Sequence, residues 1–181
     1  MKSALIGIVT ASDRASAGIY KDESGPAIEA WLARTLISPF NTLRRIIPDG
    51  LESVRETLVQ LADIEGCDLI LTTGGTGPAP RDLTPEATEA VAHRVMPGFG
   101  ELMRRESLKD VPTAILSRQM AVTRGKCLII NLPGKPSSIG TCLQAVFAAV
   151  PYCLDLMEAA RIETDPAVLA AFRPAQAKSS A

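Results

Sequence analysis

Between Ala4 and Thr73 the chain alternates between two hydrophobic periods, and this restricts its fold more than any other feature. Ala4 to Val9 is a short apolar, β-branched run of the kind that forms a buried strand. From Pro26 to about Ile37, the residues Ile28, Trp31, Leu32 and Leu36 share one helical face, with proline in the first turn where its missing N–H is not needed. "NTLRRIIP" reads as a second strand, closed by Pro48-Asp49-Gly50. Leu51, Val54, Leu58, Leu61 and Ile64 then recur at helical spacing as far as Glu65, and "CDLILTT" is a third strand. Strand, helix, strand, helix, strand with short connections predicts right-handed crossovers and a mainly parallel sheet flanked by helices, an α/β three-layer sandwich.

Beyond Thr73, Thr84 is placed to cap a helix that has Pro85 at its first position and ends near Arg94. "MPGFG" reads as a break, followed by a helix over "GELMRRESLK". "RQMAVT" and "KCLIIN" read as strands joined at Arg124-Gly125. Helices over about Ser137–Ala149 and from Pro151 through Glu158 complete the chain. Residues 1–173 form one domain, and 174–181 read as a disordered polar tail. No apolar run reaches the roughly 18 residues of a membrane span, and Pro151 and Asp155 interrupt the longest. The expected location is the cytoplasm, with no membrane partner.

Composition removes several function classes. A net charge of −1 lacks the basic footprint of a nucleic-acid binder, and 4% aromatic residues leave little for base-stacking platforms. Four cysteines without a C-x-x-C pair and a single histidine, His93, do not make a zinc site. The cysteines read as buried reduced thiols, Trp31 as core, and His93 as a solvated or capping residue near a helix end. Neither G-x-x-x-x-G-K-[ST] nor, after the first strand, G-x-G-x-x-G occurs, which disfavours P-loop and dinucleotide chemistry.

In open parallel sheets, ligands bind beyond the carboxyl ends of the strands. Four exits converge there: Thr10, Ser12, Asp13 and Arg14; Asp49; Thr73 through Gly77 with Arg81 and Asp82; and Asn131, Pro133 and Gly134. Gly74, Gly75 and Gly77 in "LTTGGTGPAPRDLTPE" allow backbone N–H groups to approach an anion, and Thr73 and Thr76 add hydroxyls. The loop has no lysine, and it carries Asp82. Two unit charges about 4 Å apart cost about 4 kcal/mol at an effective dielectric of 20, so a phosphate beside Asp82 needs a cation between them. Mg²⁺ held by one or two carboxylates and by substrate phosphates satisfies this, with Asp49 as the second carboxylate. Each residue also has a structural reading: a tight strand-to-helix turn for the glycines, a capping role for Asp82, a turn aspartate for Asp49.

The string "TTGGTGPAPRDLTPEAT" resembles the signature of the Mog family of molybdenum-cofactor biosynthesis proteins, the molybdopterin adenylyltransferases. "SDRASAGIYKD", "IPD", "MPGFGELMR", "TAILSRQ" and "NLPGKPSSI" resemble further blocks of that family in the same order, and the likeness covers about residues 4 to 173. It implies a three-layer α/β homotrimer that transfers an adenylyl group from ATP to molybdopterin with Mg²⁺, releases pyrophosphate, and hands its product on for molybdate insertion. By motif, Asp49 and Asp82 match the family's functional aspartates, in catalytic and metal-binding roles. Thr73, Gly74, Gly75, Thr76 and Gly77 match its phosphate loop. Ser12, Asp13, Ser117, Arg118, Asn131, Pro133 and Gly134 match pocket-lining segments. One departure stands out: many bacterial members have a longer connection before the "PYC" segment, whereas here "SIGTCLQAVFAAVPYCLDL" runs straight through. A non-catalytic molybdopterin-binding module and a hydrolase of nucleotide-linked metabolites are the alternatives.

Overall fold

The computed structural model describes residues 2–175. Six strands, β1 (Ala4–Ala11), β2 (Phe40–Ile47), β3 (Leu69–Thr73), β4 (Arg94–Val95), β5 (Ala121–Arg124) and β6 (Cys127–Leu132), form one sheet in the order β2-β1-β3-β6-β5-β4. β2, β1, β3 and β6 run parallel, and β5 is antiparallel to both β6 and β4. The predicted three-layer α/β sandwich is therefore present. β5 reverses because a tight turn links it to β6, with Gly125 at φ 54°. The single histidine serves this turn: His93 Nδ1 accepts from Gly125 N at 3.0 Å, so its role is at the hairpin and not at a helix end.

β1 and β3 carry apolar side chains on both faces, which is why they read as continuous runs. On one face, Ile6, Ile8, Leu69, Leu71, Leu128 and Ile130 pack beneath α2 (Ser24–Thr35), α5 (Pro97–Ser107), α6 (Pro136–Val146) and α7 (Val150–Leu156). There Trp31 meets Phe147 edge-on at 4.9 Å between ring centroids. On the other face, Val9, Ile70 and Ile129 pack against α3 (Leu51–Val59), the π-turn Gln60–Ile64 that extends it, and α4 (Thr84–Ala90). Cys67, Cys127 and Cys142 are buried and unbridged, and burial pushes the Cys67 thiol up to about 11.

Several expectations change. "MPGFG" is the first turn of α5, because Pro97 sits at its start, where its ring preorganises the helix. The two-residue β4 that precedes it carries no periodic signal. Pro151 and Asp155 do not interrupt the apolar run: Pro136–Leu156 is helical over 21 residues. Pro151 falls in the first turn of α7, after the 3₁₀ segment Phe147–Ala149. Half of that apolar run is buried, and Ile139, Cys142, Leu143, Val146, Val150 and Leu154 face the core, so packing accounts for its hydropathy. The chain after α7 then folds back: Arg173, its side chain 7% exposed, pairs with Asp155 and Glu163. Most of the expected polar tail, Gln176 onward, lies outside the described residues.

Candidate active site

The carboxyl ends of β1, β2, β3 and β6 meet on one rim, and short-range hydrogen bonds lock them together. At the β1 and β2 exits the link is reciprocal. Asp13 N donates to Asp49 Oδ2 at 2.8 Å, and Asp49 N donates to Asp13 Oδ1 at 3.1 Å. Asp13 belongs to the short helix α1 (Asp13–Ser16), whose cap is Ser12, with Oγ accepting from Ala15 N. From the β3 exit, Arg81 donates to both Asp13 oxygens, at 2.6 and 2.9 Å, and to the Asp49 carbonyl at 2.6 Å. The sequence offers Arg81 as the fixed positive charge near the loop. In the structure that charge ties three strand exits together. Its fork geometry suits a bidentate carboxylate, and it holds the Asp13 carboxyl below the usual carboxylate range.

The glycine loop is held as tightly. Gly74 has φ 93°, and a Cβ there would lie against the Ala11 carbonyl, well inside van der Waals contact. Gly134 abuts it from β6, since a Cβ on Gly134 would stand 3.3 Å from Gly74 Cα. Thr73 Oγ1 donates to the Pro133 carbonyl at 2.8 Å, so the β3 and β6 exits move as one. Thr76 O accepts from Arg118 N at 2.8 Å, and Gly77 O accepts from Arg118 Nη2 at 2.9 Å. Arg118 also donates to the Asp82 carbonyl and pairs with Glu86. It is therefore the brace of the loop. Ser117, beside it, bonds Gln119.

Asp82 Oδ2 accepts from Ala79 N at 3.2 Å, so Asp82 shapes its own turn and does not cap α4. Its second oxygen and Asp49 Oδ1 carry no protein hydrogen bond among the described residues. Burial raises the Asp49 carboxyl above its ordinary value, with the charges of Asp13 and Asp82 adding to the shift, partly offset by the Asp13 N–H. Among the described residues no three His, Cys, Asp or Glu side chains converge as a protein-only metal cage. Two unpaired carboxylate oxygens beside a glycine-rich loop suit Mg²⁺, which keeps waters and shares substrate oxygens. The residues present fit that ion, which Asp49 and Asp82 would hold.

The Asp49 shift has a testable sign. A carboxyl whose folded pKa lies above its unfolded value stabilises the fold below the unfolded pKa and loses that contribution as pH rises through the folded one. Metal-free protein should therefore lose stability relative to Asp49→Asn as pH climbs above the ordinary aspartate range, and Mg²⁺ should narrow the gap. Urea midpoints for both proteins across pH, with and without Mg²⁺, measure this. Parallel curves would contradict it.

One predicted pocket residue is elsewhere. Asn131 is fully buried, and its Nδ2 bonds Thr72 and Thr88 beneath α4. Residues alternate across a strand, so in β6 Asn131 points to the face opposite its neighbours, and the exit itself belongs to Pro133 and Gly134. Other contributors escape sequence reasoning. Asp22 accepts from the N–H groups of Ser24 and Gly25 and from Thr10 Oγ1, and Ser24 Oγ donates to Gly134 O at 2.9 Å, pinning α2 to the β6 exit. "DESGP" carries that capping signal. Lys135 makes no ion pair among the described residues and lines a cavity of about 200 Å³ with Ser117, Gln119, Pro133 and Ser138. The glycine loop lacks a lysine, but the rim has one.

Fold and site together define a class: an α/β protein whose parallel strand ends bring a glycine-rich loop and two aspartates to one rim. The chain belongs to the family described as probable molybdopterin binding domain, whose model matches residues 7–152. It is 52% identical over 190 positions to the molybdopterin adenylyltransferase of Escherichia coli K12, covering 98% of this chain and 97% of that one. It is 53% identical over 176 positions to that of Helicobacter pylori 26695, covering 97% and 100%. The first alignment exceeds the 181 residues of this chain, so the Escherichia coli protein carries extra residues, while the second leaves no room for a comparable insertion. Among solved structures, the molybdopterin biosynthesis enzyme MoaB of Thermus thermophilus superposes with TM-score 0.78 at 43% identity, covering 85% of this chain and 96% of its own. The Mog protein of Mycobacterium ulcerans gives 0.79 at 36%, covering 87% and 99%.

Proposed function

We propose that this domain, residues 1–173, is a molybdopterin adenylyltransferase that uses ATP and Mg²⁺ and acts in the cytoplasm as a homotrimer. The observation that carries the reading is identity above 50% along nearly the whole chain to proteins bearing that name. An oxygen of molybdopterin's terminal phosphate attacks the α-phosphorus of ATP. The new phosphoanhydride bond forms as the bond to the β-phosphate oxygen breaks, and pyrophosphate leaves with its electron pair. A phosphate oxyanion is already a nucleophile, so no covalent enzyme intermediate and no general base are required. The work left to the protein is positioning and charge neutralisation.

The chain's own groups suit that work. Backbone N–H groups of Gly74 to Gly77 would receive one phosphate, and Lys135 would offer a cation to another. Asp49 and Asp82 would hold Mg²⁺, which when bound neutralises charge developing on the transferred phosphate. Ser12, Asp13, Thr73, Arg81, Ser117, Arg118, Pro133 and Gly134 shape the rim. The adenylylated product is then passed to a molybdate-insertion protein. Pyrophosphate release is the direct test. It should require ATP, Mg²⁺ and molybdopterin together. Release without the pterin would indicate a nucleotide hydrolase, and pterin binding without release a non-catalytic module. Light scattering of the eluted protein checks the homotrimer.

A further inference from the structure

Thr84 is a polar residue that the fold does not use. The residue is 1% exposed, and its Oγ1 has no hydrogen-bond partner among the described residues. A buried hydroxyl without a partner is unfavourable, and replacing it by an apolar group of the same shape is neutral or stabilising. It is not needed to start α4. Thr84 is the first residue inside that helix, not its cap, and Leu83 takes the cap position with no side-chain bond. What holds Thr84 is its backbone: Thr84 N donates to the Gly75 carbonyl at 3.0 Å, drawing the first turn of α4 onto the glycine loop.

The hydroxyl has a definite aim. A Cβ on Gly75 would stand 3.3 Å from Asp49 Oδ1 and closer still to Thr84 Oγ1, so both oxygens face the same point above the loop. Gly75, at φ 62°, leaves that point free of side chain. Asp49 Oδ1 is the oxygen left over when Oδ2 accepts from Asp13 N. Two unpaired oxygens from different elements, one of them sealed from solvent, thus close on the same glycine.

We infer that Thr84 is a positioning residue for the divalent cation, its buried hydroxyl orienting the Asp49 carboxylate that would hold that cation. This rests on the assignment of Mg²⁺ to Asp49 and Asp82. Groups that hydrogen-bond a metal's ligands typically account for 10–100-fold in metal affinity. The proposal also explains why an unfavourable buried hydroxyl persists: stability is given up locally where function needs a polar group.

The test uses Mn²⁺ as a paramagnetic probe, titrated into the full chain with ATP present and read by electron paramagnetic resonance. Thr84→Val keeps the shape and removes only the hydroxyl. It should bind Mn²⁺ about 10-fold more weakly, while metal-free protein melts at the wild-type temperature or above it. Thr84→Ser should retain wild-type affinity, and any loss in Tm from its missing methyl should not weaken the metal. Wild-type Mn²⁺ affinity in Thr84→Val would overturn the proposal, as would an equal loss in Thr84→Ser. Asp49→Asn separates the two levels. If it abolishes Mn²⁺ binding while Thr84→Val does not weaken it, the cation assignment stands and only the role of Thr84 fails. If Asp49→Asn binds Mn²⁺ as wild type does, the cation assignment itself is wrong.

Discussion

Asp82→Asn and Asp49→Asn should each slow adenylylation of molybdopterin by at least about 10²-fold while leaving the fold intact, the scale seen when a group that stabilises transition-state charge is removed. Asparagine keeps the shape and the acceptor oxygen. In Asp82→Asn one terminal atom can still accept from Ala79 N, and in Asp49→Asn one can still accept from Asp13 N. What disappears is the negative charge. A site that bound phosphates by itself would gain from that loss, because each carboxylate repels the polyphosphate. A site that works through a dication must suffer. The direction of change therefore distinguishes the two designs. Initial rates of pyrophosphate release measure it, with circular dichroism to confirm folding and elevated Mg²⁺ to seek partial rescue. Faster or unchanged turnover in both variants would remove the aspartates from the chemistry.

The largest effect on stability is expected at Gly74. Gly74→Ala would place a methyl group against the Ala11 carbonyl at φ 93°, where L-residues are strained and a backbone atom cannot step aside. Strain of roughly 1–3 kcal/mol for the dihedral and a further 1–3 kcal/mol for overpacking suggest a loss of about 2–6 kcal/mol. At roughly 2–4 °C per kcal/mol for a chain of this size, Tm should fall by about 5 °C or more. The methyl points at Ala11, so it also pushes the glycine loop off the β1 exit, and KM for ATP should rise alongside. Gly98→Ala is the control: nothing stands within 4 Å of its added Cβ. Differential scanning calorimetry on both proteins decides the matter, and equal Tm values would show that the loop relaxes freely.

Much of this architecture could be read from the chain. Periodicity separates strands that are apolar on both faces from helices with one apolar stripe, so β1 and β3 and the helices were recognisable, and the half-exposed β2 was marked by its closing Pro48-Asp49-Gly50. The glycine loop was legible because so many glycines after a buried strand leave few other conformations. The two-residue β4 was not, because so short a strand has no period and exists only through pairing with β5. Pro97 and Pro151 looked like breaks because proline excludes a helix interior yet favours a helix's first turn, and only packing shows which applies.

Within the site the division is sharper. By itself the sequence determined which chemical groups leave the strand ends, because a parallel α/β order delivers every carboxyl end to one rim whatever the details. Only the tertiary structure decided how those groups are used. It laid Arg81 across to Asp13, aimed Asn131 beneath α4, brought Lys135 and Ser24 to the rim, and left Thr84 Oγ1 near Asp49 without a partner among the described residues. The physical reason is range. Strand and helix patterns arise from neighbours a few residues apart, whereas Arg81 and Asp13 are 68 residues apart in sequence and meet only once the sheet has formed.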